Sequence, residues 1–175
     1  MRLKNGEDIA IAKAQVNDAQ AIVDCLNIIG GESDNLLFGA NQFHIMVQAE
    51  KENIQRLQTA QTSALFVGKV GEKIISVGSI FAPTRERIAH QGELSLSVLK
   101  AYWGIGVGTH MMDALVSFAR QNGICKVLQL SVRTDNVYAI RLYKRFGFEE
   151  VGVHKNNVKI QDAFFDVLLM DLHLD

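Results

Sequence analysis

The stretch Ala101–Met112, AYWGIGVGTHMM, sets glycines at 104, 106 and 108 between two patterned runs. Alternate residues without a β-carbon suit neither a strand nor a helix interior, so the chain is expected to turn there. Before the turn, GELSLSVL alternates with Leu94, Leu96 and Val98 on one face, as a strand does. After it, Met111, Met112, Leu115, Val116 and Ala119 recur at helical spacing until Gly123 stops them. A strand–turn–helix junction exposes backbone N–H groups at the positive end of the helix dipole, and glycines let a bulky anion reach them. Phosphate or pyrophosphate is the natural ligand. Two familiar phosphate loops do not fit. A P-loop needs Lys and Ser/Thr after its last glycine, where this chain has Thr109-His110, and the spacing G-x-G-x-x-G fails because Thr109 and Met111 stand where its last glycine should be.

The remaining patterns place this junction in a mixed sheet. DIAIAKAQ reads as a first strand, followed by a helix through Ala21, Ile22, Cys25, Leu26 and Ile29, capped by Asn17 or Asp18 and ended by Gly30-Gly31. A second helix is expected through Phe43, Met46, Val47, Ile54 and Leu57. SALFVGKVGEKIISVGSIFAP reads as a hairpin turning at Gly71-Glu72, and KVLQLSV as a strand carrying Leu128, Leu130 and Val132 on one face. A last helix, capped at Asp135 or Asn136 and closed by Gly147, precedes two strands in EEVGVHKN and DAFFDVLLMDLHL. Hairpins combined with one strand–helix–strand crossover indicate an α/β or α+β single sheet.

Composition matters here for what it disfavours. A formal charge of −1 lacks the basic field of a nucleic-acid binder, and the 175 residues fit one domain, residues 1–175. No run approaches the 18 apolar residues of a membrane span, and the N-terminus has no apolar leader core, so a cytoplasmic protein that engages no membrane is expected. Cys25 and Cys125 sit among apolar neighbours and read as buried thiols, and the five histidines show no paired metal spacing, so no metal is expected.

Gly106-Val107-Gly108 resembles the glycine positions of the [RQ]-x-x-G-x-[GA] pattern of the GNAT superfamily of acyl-CoA-dependent N-acyltransferases, with Trp103 where Arg or Gln is usual. The resemblance extends downstream to Asn136, Ala139, Leu142-Tyr143 and Gly147-Phe148, and covers residues 91 to 170. It implies a central mixed, mostly antiparallel sheet of about seven strands flanked by four helices, with acetyl-CoA as cosubstrate. The N–H groups of Gly104, Ile105, Gly106, Val107, Gly108 and Thr109, helped by the Thr109 hydroxyl, would hold the pyrophosphate, with Trp103 as a further cofactor contact, and the main chain of Leu96, Ser97 and Val98 would hold the pantetheine arm. Asn136 would bond the pantetheine or a water, or cap its helix, or both.

By the same resemblance, an amine acceptor attacks the thioester directly through a tetrahedral intermediate. An alkyl ammonium with a pKa near ~10.4 must first lose a proton, at a cost of roughly 4 kcal/mol at pH 7. Glu93, at the start of the central strand, is the leading candidate to take it, directly or through a water; a solvated strand-end glutamate is the plain alternative. Some relatives carry a glutamate on the next strand, where this chain has Ser131. Tyr143 is placed near the sulfur as donor to the departing thiolate. Glu32, Ser33 and Asp34 lie where these folds often receive the acceptor, as a solvated acidic loop or as partners of a cationic amine. The acceptor is a small-molecule, peptide or protein amine, and the alternating C-terminal strands suit a homodimer across a two-fold. A non-catalytic acyl-CoA sensor with the same cradle is the alternative reading.

Overall fold

The computed structural model describes residues 1–174. Its strands are β1 (Ala10–Lys13), β2 (Ala64–Val70), β3 (Lys73–Phe81), β4 (Gln91–Val98), β5 (Val127–Arg133), β6 (Glu149–Ile160) and β7 (Ala163–His173). Its α-helices are α1 (Ala19–Glu32), α2 (Val47–Gln58), α3 (Val107–Gln121) and α4 (Val137–Arg145). The strands form one sheet in the order β1-β2-β3-β4-β5-β7-β6. Among the described residues every neighbouring pair is antiparallel except β4 and β5, which the α3 crossover makes parallel. No helix among them is long and apolar enough to cross a membrane.

Strand alternation divides the core into two layers. Phe66, Ile80, Leu94, Leu128, Leu130 and Met170 pack beneath α3 and α4 against Met111, Met112, Leu115 and Tyr143. Leu65, Val67, Ile75 and Val77 face the opposite way, onto Ile22, Leu26, Ile54 and Leu57 of α1 and α2. The buried stripe of α3 is the one its periodicity predicts, and the β2–β3 turn falls at Gly71, φ +56°. Both cysteines are free and buried.

Three local expectations are corrected. Gly30-Gly31 do not end α1, which runs through to Glu32. Gly30 is instead a contact site: a β-carbon there would lie 2.5 Å from the Gly39 carbonyl oxygen, so its bareness lets the following loop lie against the helix. Helix α2 starts only at Val47. Met46 is extended and 76% exposed, while Phe43 packs on Phe38 with ring centroids 5.2 Å apart and donates its N–H to Asn27 Oδ1. Neither side chain completes a helical stripe. Asp18 stands at the start of α1 without bonding its first-turn amides. Its carboxylate accepts from the Gln15 N–H at 2.8 Å and pairs with Lys69 Nζ at 2.6 Å, fastening the helix entry to β2.

Candidate active site

The parallel strands part almost as soon as they meet. β4 and β5 pair only from Gln91↔Val127 to Glu93↔Gln129; beyond that β4 stays with β3 as far as Val98, and β5 with β7 as far as Arg133. A V-shaped split opens between Leu94–Val98 and Leu130–Arg133. The Leu99 N–H donates to the Ile75 carbonyl, so the alternate residues Glu93, Ser95 and Ser97 direct their main chain at β3. Leu94, Leu96 and Val98 therefore direct theirs into the split, as the His90 carbonyl does where it accepts from the Val127 N–H. Of the three residues expected to bind a pantetheine arm, Leu96 and Val98 are so oriented. Ser97 turns its main chain to β3 instead.

The glycine run lies past the end of β4. Gly104 and Gly106 take φ +75° and +108°, and nothing lies within 4 Å of where a β-carbon would stand on either. The first helical bond of α3 joins the His110 N–H to the Gly106 carbonyl, which leaves the N–H groups of Val107, Gly108 and Thr109 without helical partners. Ile105 holds the turn in place by accepting from the Lys4 N–H at 3.0 Å. Gly108 does something different: a β-carbon there would meet Leu142 Cδ2 at 3.0 Å, so it sets the approach of α3 to α4. Bare amides beside a strand edge with free main-chain groups suit a ligand with a diphosphate at one end and an amide-bearing arm. Acetyl-CoA has that chemistry.

Trp103 is 45% exposed, and its indole Nε1–H donates to the Val98 carbonyl at 2.7 Å. Its donor is thus used within the chain, and the ring is left partly exposed.

Tyr143 and Glu93 lie on opposite faces at the split. Tyr143 belongs to the α3/α4 core, 8% exposed, with its ring 5.9 Å from that of Phe148. Burial pushes its phenol up to about 12. Asn136 caps α4 by accepting from the Ala139 N–H at 3.3 Å, while Asp135 pairs with Arg133; the cap left open by the sequence is Asn136.

Glu93 is exposed on the other face, where it lines an open cavity of about 330 Å³ with Phe81, Ala82, Pro83, Gln91 and Gln129. Register carries that row onward: Gln129 stands opposite Asp171, and Asp171 opposite Glu149, which puts three carboxylates on one line across the sheet. Gln129, Asp171 and Glu149 escaped the sequence reading because alternation gives a residue's face but not its cross-strand neighbour. Glu32 is not a free carboxylate of the acceptor loop. It ends α1, and its Oε2 accepts from the Lys100 N–H at 2.7 Å.

A family model described as "Acetyltransferase (GNAT) family" matches residues 36–148, more than half of the chain. The chain belongs to this family. An acetyltransferase of the GNAT family from Streptococcus pneumoniae superposes with a TM-score of 0.92 at 26% identity, over 96% of this chain and 100% of that one. A GNAT superfamily phosphinothricin acetyltransferase from Sinorhizobium meliloti, solved with acetyl-CoA, shares the fold with a TM-score of 0.82 at 15% identity, over 95% and 88%. An N-alpha-acetyltransferase of Sulfurisphaera tokodaii is 25% identical over 86% of each chain. The spermine/spermidine N(1)-acetyltransferase of Bacillus subtilis is 44% identical over 29% of this chain, and the N-alpha-acetyltransferase RimI of Mycobacterium tuberculosis 36% identical over 39%. These two matches span only 34% and 41% of the relatives' own lengths.

Proposed function

We propose that this protein transfers the acetyl group of acetyl-CoA to a primary amine on a small, cationic molecule. The observation that carries the reading is the β4/β5 split, with free main-chain groups on one arm and the unpartnered N–H groups of α3 at its end. The amides of Gly104 to Thr109 hold the pyrophosphate. The main-chain groups of Leu96 and the Val98 N–H pair with the pantetheine as an added strand and direct the thioester carbonyl. A cationic acceptor is supported by the carboxylate row Glu93–Asp171–Glu149 on the open face and by the partial similarity to a spermine/spermidine N(1)-acetyltransferase.

The two faces divide the proton chemistry. Glu93, at the vertex of the split and on the open face, takes the ammonium proton directly or through a water in the adjoining cavity. Tyr143, on the cofactor face, serves the sulfur. With its phenol at about 12 against a thiol near ~8.5, complete proton transfer is uphill by roughly 5 kcal/mol, so Tyr143 acts as a hydrogen-bond donor that steadies the thiolate while solvent supplies the proton.

The test is CoA-thiol release from acetyl-CoA across polyamines, amino acids, aminoglycosides and short peptides, with a control lacking amine. Release confined to polycationic small amines supports the reading. Release only with peptides moves the acceptor to a protein N-terminus, and acetyl-CoA binding with no amine-dependent release replaces the enzyme with a sensor.

A further inference from the structure

Arg133, the last residue of β5, is 8% exposed and is the most heavily engaged side chain of the described residues near the split. Its Nε and Nη2 donate to the two carboxylate oxygens of Asp135 at 3.0 and 2.6 Å, its Nη1 donates to the Asp34 carbonyl at 2.8 Å, and its guanidinium lies 3.8 Å from the centroid of the Phe165 ring. The fork fixes the guanidinium plane, so Nη1 is aimed at the Asp34 carbonyl rather than free to wander. Two residues before Asp34, Glu32 accepts from the Lys100 N–H just past the end of β4. Ser33 between them is extended, φ −152° and ψ 133°. Only Ser33 separates the two attachments, one to the Lys100 main chain beyond β4 and one to the Arg133 side chain at the end of β5, so this short segment bridges both arms of the split.

We propose that Arg133 is a positioning residue of the acceptor site: together with Glu32 it fastens residues 32–34 across the open end of the split and thereby sets the position of the loop 33–46 that the acceptor meets. The proposal rests on the acetyl-transfer reading. The loop's other attachments are apolar packing of Leu36, Phe38 and Phe43 on the core and hydrogen bonds within itself and to α1. Its Gly39 N–H bonds Gln42 within the loop, its Phe43 N–H bonds Asn27 on α1, and its Leu37 is 85% exposed. Without the clasp the loop keeps its attachment to α1 and loses its attachment to β5. Arg133 acts on the amine through the loop and touches no reacting atom.

Arg133→Gln releases the segment from β5, and Glu32→Ala releases it from the Lys100 main chain beyond β4. Each is expected to raise the KM for the amine roughly 10- to 100-fold, the equivalent of one lost hydrogen bond to a charged group, with the acetyl-CoA dissociation constant held within about threefold. Hydrogen exchange at residues 34–45 should quicken by a similar factor while the amides of β2 and β3 keep their rates. An unchanged amine KM overturns the proposal. So does a rise matched by lost acetyl-CoA affinity and by faster exchange throughout the sheet, which marks a merely loosened fold. If Arg133→Gln does not fold, Glu32→Ala carries the same reading from the β4 side. If no amine is turned over, the acetyl-transfer reading fails separately, and exchange decides the clasp: faster exchange confined to 34–45 sustains it, and unaltered exchange removes it.

Discussion

At the scale of single residues, the two faces of the split call for different responses. Glu93→Gln removes the proposed base, so kcat/KM at pH 7 should fall about 100-fold, within the usual range for general-base catalysis. The deficit should narrow as the pH rises toward ~10, because more of the amine then arrives unprotonated; a pH-independent deficit would point to binding instead of proton transfer. Tyr143→Phe keeps the ring against Phe148 and removes only the hydroxyl, so kcat should drop at least about tenfold with acetyl-CoA affinity and melting temperature little altered. Gly106→Ala meets no neighbour, yet φ +108° is foreign to alanine. The strain of about 1–2 kcal/mol should lower the melting temperature by roughly 2–8 °C, read by calorimetry.

Among elements, the decisive event is that β4 abandons β5 after Glu93 while each keeps its outer partner. Trp103 braces the β4 arm through the Val98 carbonyl, and it is the only tryptophan in the chain. Saturating acetyl-CoA should therefore change the protein's tryptophan emission. An unchanged emission at a concentration that calorimetry shows to be saturating would remove Trp103 from the binding surface. Helix α4 owes its start to Asn136, so Asn136→Ala should cost about 1 kcal/mol of stability in denaturant titration. The long β6–β7 hairpin, with bulges after Glu150 and after His154, extends the carboxylate row to Glu149 on the edge strand.

For the whole molecule, buried acids set the alkaline limit of stability. Burial pushes Tyr143 from 10.0 and Cys25 from 9.0 up to about 12, with the Lys73 ammonium partly opposing the rise at Cys25. The unfolded chain loses these protons first, so stability should be full below pH 9, decline above it, and decline further above pH 10, the loss from these groups ending near pH 12. Melting temperature measured from pH 8 to 11 should show that slope, and Cys25→Ala with Tyr143→Phe should make it shallower, the share of Cys125, which burial also pushes up, remaining. The same core explains how much of the fold could be read beforehand. Leu94, Met111, Leu115, Leu128 and Leu130 were legible as buried because alternation and helical spacing are local and burial follows them. The glycine turn, the hairpin at Gly71 and the parallel crossover were legible for the same reason. Gly30 misled because its bareness serves a contact with Gly39, nine positions on, and Glu32 because its partner Lys100 is 68 positions away. The sequence by itself determined the strand and helix faces, the turn before α3 and the family resemblance, all carried by spacings of a few residues. Only the tertiary structure decided that β4 and β5 part after Glu93, that Glu93, Asp171 and Glu149 share a row, and that Glu32 meets Lys100 while Arg133 meets Asp34, because register and side-chain pairing join residues whose separation in the chain leaves no local pattern.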